Sequence, residues 1–408
     1  MKKSFIIALC IMLASCQSAL AWENLYSQAI VDEDGIYYSG SLDEATVGTF
    51  FMNADGSGAR KLLDGEALLL AASDSALLTM MYDENYENGE MNVIARDGEV
   101  IASIPGEYLS SIEDDDRFYV ANLEISVDGG TVSIRELFAL DAVDSYRIMP
   151  VEVEDGYLYF QDSRDYKDTT YEVSSFSVDT LKRVSLAGGE PELICDADAR
   201  FIGIDDGHIY FQRMDYYVHE GDYESSDIVH VECGLYRANT DGGDARIIAD
   251  VDPESYLTYT HMDDGVIYGL MSYFDADTDE PRDILKRVTT GGEALADIDV
   301  PSDTLAAIDD GELYFIKYNY YESNGEEVQS DEIVIFDERT GEQTTLLTGR
   351  GYALFFTETQ PQLVAEDGRV YFFDYSYTKN SMRLWSTTAD GSGERLLAPG
   401  LDNSALFD

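Results

Sequence analysis

The chain has 408 residues, of which 45% are hydrophobic and 12% aromatic, so it can bury a large core. Asp and Glu number 81 against 26 Lys and Arg, a formal net charge of −55. That balance argues against nucleic acid and anionic lipid headgroups as partners, because their phosphates would be repelled, and it favours cationic partners or divalent ions.

Residues 1–21 read as a signal peptide. Lys2 and Lys3 form a charged start, and Phe5 to Leu13 form an apolar stretch too short to span a bilayer. Two cleavage points are available. Leu13-Ala14-Ser15-Cys16 resembles the bacterial lipobox, in which cleavage leaves a diacylated Cys16 as the first residue. Ala19-Leu20-Ala21 fits an A-x-A site before Trp22. Either route exports the protein. The lipobox route is the expected one and makes a lipid anchor at Cys16 the membrane contact. Residues 22–408 read as a single domain.

Along that domain one motif recurs: Asp-Gly followed by an alternating aromatic strand. It reads Asp34-Gly35-Ile36-Tyr37-Tyr38, then Asp155-Gly156-Tyr157-Leu158-Tyr159-Phe160 and Asp206-Gly207-His208-Ile209-Tyr210-Phe211. Further copies start at Asp264, Asp310 and Asp367. Two weaker units lie between. One runs from Ala76 to Tyr82, then Met91 to Arg96 and the turn Asp97-Gly98. The other runs from Arg117 to Ala121, then Ile134 to Leu140. A strand-rich unit repeated about every 40–50 residues predicts an all-β chain folded as a β-propeller of four-stranded blades, with eight blades and seven as the alternative. In the fifth unit, Phe201–Ile204 is the expected inner strand, His208–Arg213 the second, Gly234–Ala238 the third and Ala245–Ile248 the outer.

Unit lengths vary between the second and third strands. Long acidic insertions run from Asp162 to Tyr171, Tyr216 to Val231, Asp275 to Asp283 and Tyr318 to Asp331. In a propeller these connections share one face of the disc, which makes it the expected binding face. Tyr216, Tyr217, Tyr318, Tyr320 and Tyr321 are its candidate contact residues, since tyrosines on loops can stack on sugars or anchor a protein partner. Alternatively, they pack between blades. Asp275, Asp277 and Asp279 place carboxylates at every second residue, the donor type Ca²⁺ prefers, although the spacing is not that of an EF-hand. His219 and His230 flank the second insertion without forming a known zinc spacing. Cys195 and Cys233 fall in successive units and, in an exported chain, are a candidate disulfide. Ser126-Val127-Asp128-Gly129-Gly130-Thr131 reads as a β-turn.

Phe50-Phe51-Met52-Asn53-Ala54-Asp55-Gly56-Ser57-Gly58-Ala59-Arg60-Lys61-Leu62-Leu63 is similar to the repeat of TolB-type propellers, and Leu235 to Gly243 and Leu384 to Gly393 follow the same pattern. Joined to the Asp-Gly-x-Ile-Tyr-Phe half, the unit also resembles YWTD propellers of low-density-lipoprotein-receptor type. A bacterial family of exported propellers shares the combination. The resemblance implies fold rather than activity, and eight units depart from the six blades usual in both types. No Gly-x-Ser-x-Gly elbow is present. The expected role is a binding or scaffolding module for an envelope or extracellular protein. The alternative is a carbohydrate-binding or carbohydrate-active propeller working on one face of the disc.

Overall fold

In a computed structural model, residues 28–400 are described except 33–34, 44–45, 66, 83–88, 107–109, 115, 141–146, 168–174, 215, 219–227, 253–254, 256, 275–280, 301–303, 310, 318–319, 324–325, 330, 353–362, 367 and 377–380. These residues form strands and turns, and among them no helix is long and apolar enough to cross a membrane.

Eight four-stranded antiparallel blades follow one another in sequence. They span residues 28–64, 68–105, 111–136, 147–195, 199–250, 258–300, 304–352 and 363–398, and are called blades 1 to 8 below. Each blade runs from an inner strand outward in chain order. The turn from first to second strand explains why the repeat begins with Asp-Gly. Asp155 (φ 51°) and Gly156 (φ 78°) both adopt positive φ, as do Asp206 with Gly207 and Asp264 with Gly265. A two-residue type I′ turn requires this, and its twist matches that of the flanking strands.

Two units depart from expectation. In blade 1, Asp32 pairs with Gly35, so Gly35 is the first residue of the second strand rather than part of the turn. In blade 3, the third strand is Leu123–Asp128, and Ile134 belongs to the outer strand Thr131–Glu136 instead of opening a strand that runs to Leu140. The reason is a tight turn with no glycine. Val120 pairs with Leu123, Ala121 takes φ 49°, and the Asn122 side chain donates to the Phe138 carbonyl (2.8 Å).

A blade exposes two apolar faces and is marginal alone, so stability comes from stacking. The core divides into eight apolar clusters, one for each blade-to-blade interface. Leu78 and Met80 meet Phe118 and Ile125 between blades 2 and 3, while Tyr119 and Phe138 meet Leu158 and Phe160 between blades 3 and 4. The last cluster closes the ring, with Ile36, Tyr38 and Phe50 of blade 1 packing on Tyr371, Phe373 and Leu384 of blade 8. An Arg395–Asp55 ion pair at 3.4 Å spans the same seam.

The tyrosine of the repeat motif sits at these interfaces. Tyr37, Tyr119, Tyr159, Tyr210, Tyr268, Tyr314 and Tyr371 occupy one position of the second strand in seven blades, Leu78 takes it in blade 2, and all are buried. Each packs toward the following blade. Two hydroxyls also reach it: Tyr210 donates to the Thr290 carbonyl (3.4 Å) and Tyr268 to Glu338 (2.7 Å), which an Arg287 ion pair holds in place.

Burial raises the phenol pKa of Tyr119, Tyr159, Tyr210, Tyr268 and Tyr314 above the ordinary value of 10.0. A group whose folded pKa is raised stabilises fully below the unfolded value and loses that contribution as pH climbs past it. We therefore predict that stability falls as pH rises above 10. In an absorbance titration at alkaline pH, the core tyrosines ionise cooperatively with unfolding as followed by circular dichroism. Smooth ionisation of nearly all the phenols around pH 10, with the fold intact, would show that these tyrosines do not hold the interfaces.

Candidate binding face

The insertions between second and third strands continue the blades as paired hairpins. In blade 4, Tyr157–Lys167 pairs with Ser175–Ser185 along eleven residue pairs. In blade 5, Tyr216–Val218 pairs with Ile228–His230 as a separate two-stranded hairpin. Blade 6 extends Val266–Phe274 against Pro281–Thr289, and blade 7 adds Tyr320–Ser323 paired with Glu326–Gln329. Blade 3 turns at this point within two residues, and in blade 1 the second strand ends at Asp43 and the third begins at Thr46. Four consecutive blades thus carry the longest connections on this face, along half of the ring, with the paired strands of blade 6 reaching as far past the repeat tyrosine as those of blade 1.

The blade 5 hairpin is tied to the disc at its base. Asp198 N–H donates to the Tyr216 carbonyl (3.1 Å), Met214 N–H to the Asp198 carbonyl (2.7 Å), and Asp179 N–H to the Asp198 side chain (3.0 Å). Tyr217 is half-buried against the cluster between blades 4 and 5. Tyr216 turns outward, 39% exposed, with its ring 6.5 Å from that of His230, and Val229 is also 39% exposed. Tyr216 and Tyr217 therefore divide between the two expected roles, one toward solvent and one into the core. Tyr320 and Tyr321 fall on the paired blade 7 strand. Tyr318, Asp275, Asp277, Asp279, His219 and Cys16 lie outside the described residues. Among the described residues, no group of three or more His, Cys, Asp or Glu is arranged to hold a metal ion.

Toward this end of the second strands, four blades carry a charge that the insertion pattern concealed. Three residues after the repeat tyrosine stand Asp162, Arg213, Lys317 and Asp374, in blades 4, 5, 7 and 8. By sequence the first opens a polar insertion. Instead its side chain is 3% exposed and accepts from Lys182 (2.5 Å) and Arg164 (2.7 Å). Asp374 is fully buried. It accepts two bonds from Arg383 (2.7 and 2.5 Å) and one from the Trp385 indole (2.9 Å), while the Arg383 guanidinium lies 5.5 Å from the Trp385 ring. Arg213 sits over Tyr236, and Lys317 faces Glu332 at 3.6 Å. The detectable sequence signal was a charge at a fixed offset from the tyrosine.

The expected disulfide is not formed. Cys195 is buried in the cluster between blades 4 and 5, its thiol directed at the Ala197 carbonyl (3.8 Å), and burial pushes its pKa up to about 11. Cys233 packs against the cluster between blades 5 and 6. The sheet of blade 5 separates the two sulfurs, so adjacency of the units in sequence does not bring them together.

No family model matches the chain, and no curated protein does. Among solved structures it is similar to oligogalacturonate lyase from Vibrio parahaemolyticus (13% identity, TM-score 0.46, covering 86% of this chain and 93% of that one). It is also similar to the β-propeller domain of the Trilobed protease from Pyrococcus furiosus (11%, 0.35, 62% and 85%) and to a protein described as TolB from Agrobacterium tumefaciens (11%, 0.32, 68% and 90%). At these identities and scores the likenesses carry no argument about activity.

A buried charge stripped of its partner is costly. Asp374→Ala should lower stability by about 3 kcal/mol in equilibrium urea unfolding, whereas Tyr216→Ser, on the exposed hairpin, should change it by under about 0.5 kcal/mol. Equal effects would mean that the buried Asp374–Arg383 pair does not hold blade 8 together.

Proposed function

We propose that this chain is an exported, lipid-anchored β-propeller that binds an envelope or extracellular protein on its hairpin face. The observation that carries the reading is the succession of four hairpins on one face, over blades 4 to 7, the first of them standing on the buried cluster of Asp162 with Arg164 and Lys182. That cluster and the backbone bonds around Asp198 brace the bases of the blade 4 and blade 5 hairpins, and a fixed scaffold bearing projecting loops is how rigid β folds present binding surfaces. Tyr216, beside His230, and Val229, on the other side of the hairpin opposite Tyr217, are its exposed apolar groups, and a large amphipathic ring on a braced strand suits an interface anchor. Export and lipidation rest on Lys2, Lys3, the apolar stretch that follows and the lipobox-like run ending at Cys16.

The test is cross-linked recovery from the native envelope with residues 22–408 as bait, alongside two variants. Tyr216→Ser with Val229→Ser alters the hairpin face. Asp206→Asn alters a turn at the opposite end of the strands. The expected result is one protein recovered reproducibly by the unaltered bait and by Asp206→Asn, and reduced about tenfold, the scale of losing an interface anchor, by the hairpin variant. Equal recovery by all three baits, or retention of glycan fragments alone, would contradict the reading.

A further inference from the structure

Apart from blade 7, whose outer strand pairs at Gly351 and Tyr352 with Tyr375 and Asp374 of blade 8, the outer strands are edges with no further strand paired to them among the described residues, and most outer strands carry a built-in defect. The pairing of third and outer strands slips at Thr49/Phe50, Val93/Ile94, Leu181/Lys182, Leu235/Tyr236 and Leu384/Trp385, and twice in blade 7. Bulges of this kind bend and twist an edge, and natural sheets use them to prevent pairing with another chain. Blade 6 has no slip, but its outer strand is only Ile298–Val300.

Blade 3 lacks both protections. Its outer strand, Thr131–Glu136, pairs with Leu123–Asp128 through all six residues without a register shift. The cause is local. Asp128 and Thr131 close on Gly129 (φ 55°) and Gly130 (φ 81°), a two-residue type I′ turn that holds the following pairs in step. Hydrogen-bonded and non-hydrogen-bonded pairs alternate from such a turn, so Val132, Ile134 and Glu136 direct their N–H and C=O groups away from the blade. Among the described residues no strand pairs with that edge. Thr131, Ser133, Ile134, Arg135 and Glu136 are exposed, Ile134 at 47%, and so is nearby Leu140 at 47%. The strand is nevertheless held firmly, because Arg135 bonds Glu124 (2.5 Å) within the blade and the Leu186 carbonyl (2.6 Å) of blade 4.

We propose that the outer edge of Thr131–Glu136 accepts an extended, net-basic segment of a partner protein as a fifth strand of blade 3. A straight, regular edge is a template for strand addition, in which main-chain hydrogen bonds supply affinity. The charge of the partner follows from the chain itself: at −55 it attracts a cationic segment and repels a second copy of itself. This edge lies on the rim of the disc, apart from the hairpin face, so the two surfaces can be occupied together.

The test measures binding of a fluorescent peptide of alternating Val and Lys by anisotropy at near-physiological salt. Ile134→Pro removes one outward N–H while leaving the native ladder intact. A second peptide, N-methylated at alternate amides, blocks strand pairing and keeps the charge. The expected result is saturable binding by the unaltered protein, weakened about tenfold both by Ile134→Pro and by N-methylation. If Ile134→Pro fails to fold, the N-methylated peptide decides alone. Absence of saturable binding, or equal binding of both peptides, would overturn the proposal by showing only diffuse charge attraction. A dimer in sedimentation that Ile134→Pro dissolves would overturn the choice of occupant in favour of a second copy.

Discussion

The burial of one tyrosine per blade against the next blade is the interaction on which the rest of the structure depends. A four-stranded sheet has two faces to hide and no means of hiding both alone. The repeat motif Asp-Gly-x-Ile-Tyr-Phe answers this within a few residues. Asp-Gly sets the hairpin, alternation sends neighbouring side chains to opposite faces, and one face of every blade then matches the other face of its neighbour. Tyr159 faces blade 5 while Phe160 faces blade 3, so a single dipeptide serves two interfaces. The ring closes because the last blade offers to the first what every other blade offers to its successor. Among the described residues no strand is exchanged across that seam: the sheet of blade 1 uses strands within 28–64, while blade 8 shares a sheet with blade 7 through Gly351–Tyr352 and Asp374–Tyr375.

Electrostatics acts at a second level. A net charge of −55 on a compact disc is a standing repulsion, and the fold confines it to the surface. Two of the buried carboxylates, Asp162 and Asp374, are matched by cations: Asp162 by Arg164 and Lys182, Asp374 by Arg383. These pairs stand where the sheets of blades 4 and 8 end, blade 4 continuing into its hairpin. They give specificity of placement more than stability, since desolvation offsets much of their attraction. The position three residues past the tyrosine tolerates different solutions around the ring, with a carboxylate in blades 4 and 8, a cation in blades 5 and 7 and Met271 in blade 6.

Much of this was legible in the sequence because the signals were local. The Asp-Gly turns, the aromatic alternation and the repeat length specify all-β blades and their number, and the insertion lengths pointed to one face. What escaped was set by context. The blade 3 turn at Ala121-Asn122 has no glycine and is stabilised by a side-chain bond to Phe138, seventeen residues beyond Ala121, which no local pattern reveals. Asp34-Gly35 looks like its fellows, yet Gly35 pairs with Asp32, and a one-residue shift of the turn cannot be read from composition. Cys195 and Cys233 are adjacent by unit but are turned to opposite faces of one sheet, and sequence spacing says nothing about which face each thiol takes. Asp162 looked like the beginning of a solvated loop because its cations are contributed by other positions of the hairpin.

The central claim is that eight blades close into a ring by packing across the seam between the first and last. The most direct measurement is chemical cross-linking of Asp55→Cys with Arg395→Cys, in a background where Cys195 and Cys233 are replaced by Ala, using a short bis-maleimide. Asp55 and Arg395 face each other across that seam at 3.4 Å. The account predicts rapid intramolecular linkage in the monomer, identified as one linked peptide by mass spectrometry, and a higher melting temperature for the linked form. Linkage only between molecules, or none while the blades remain folded, would contradict it.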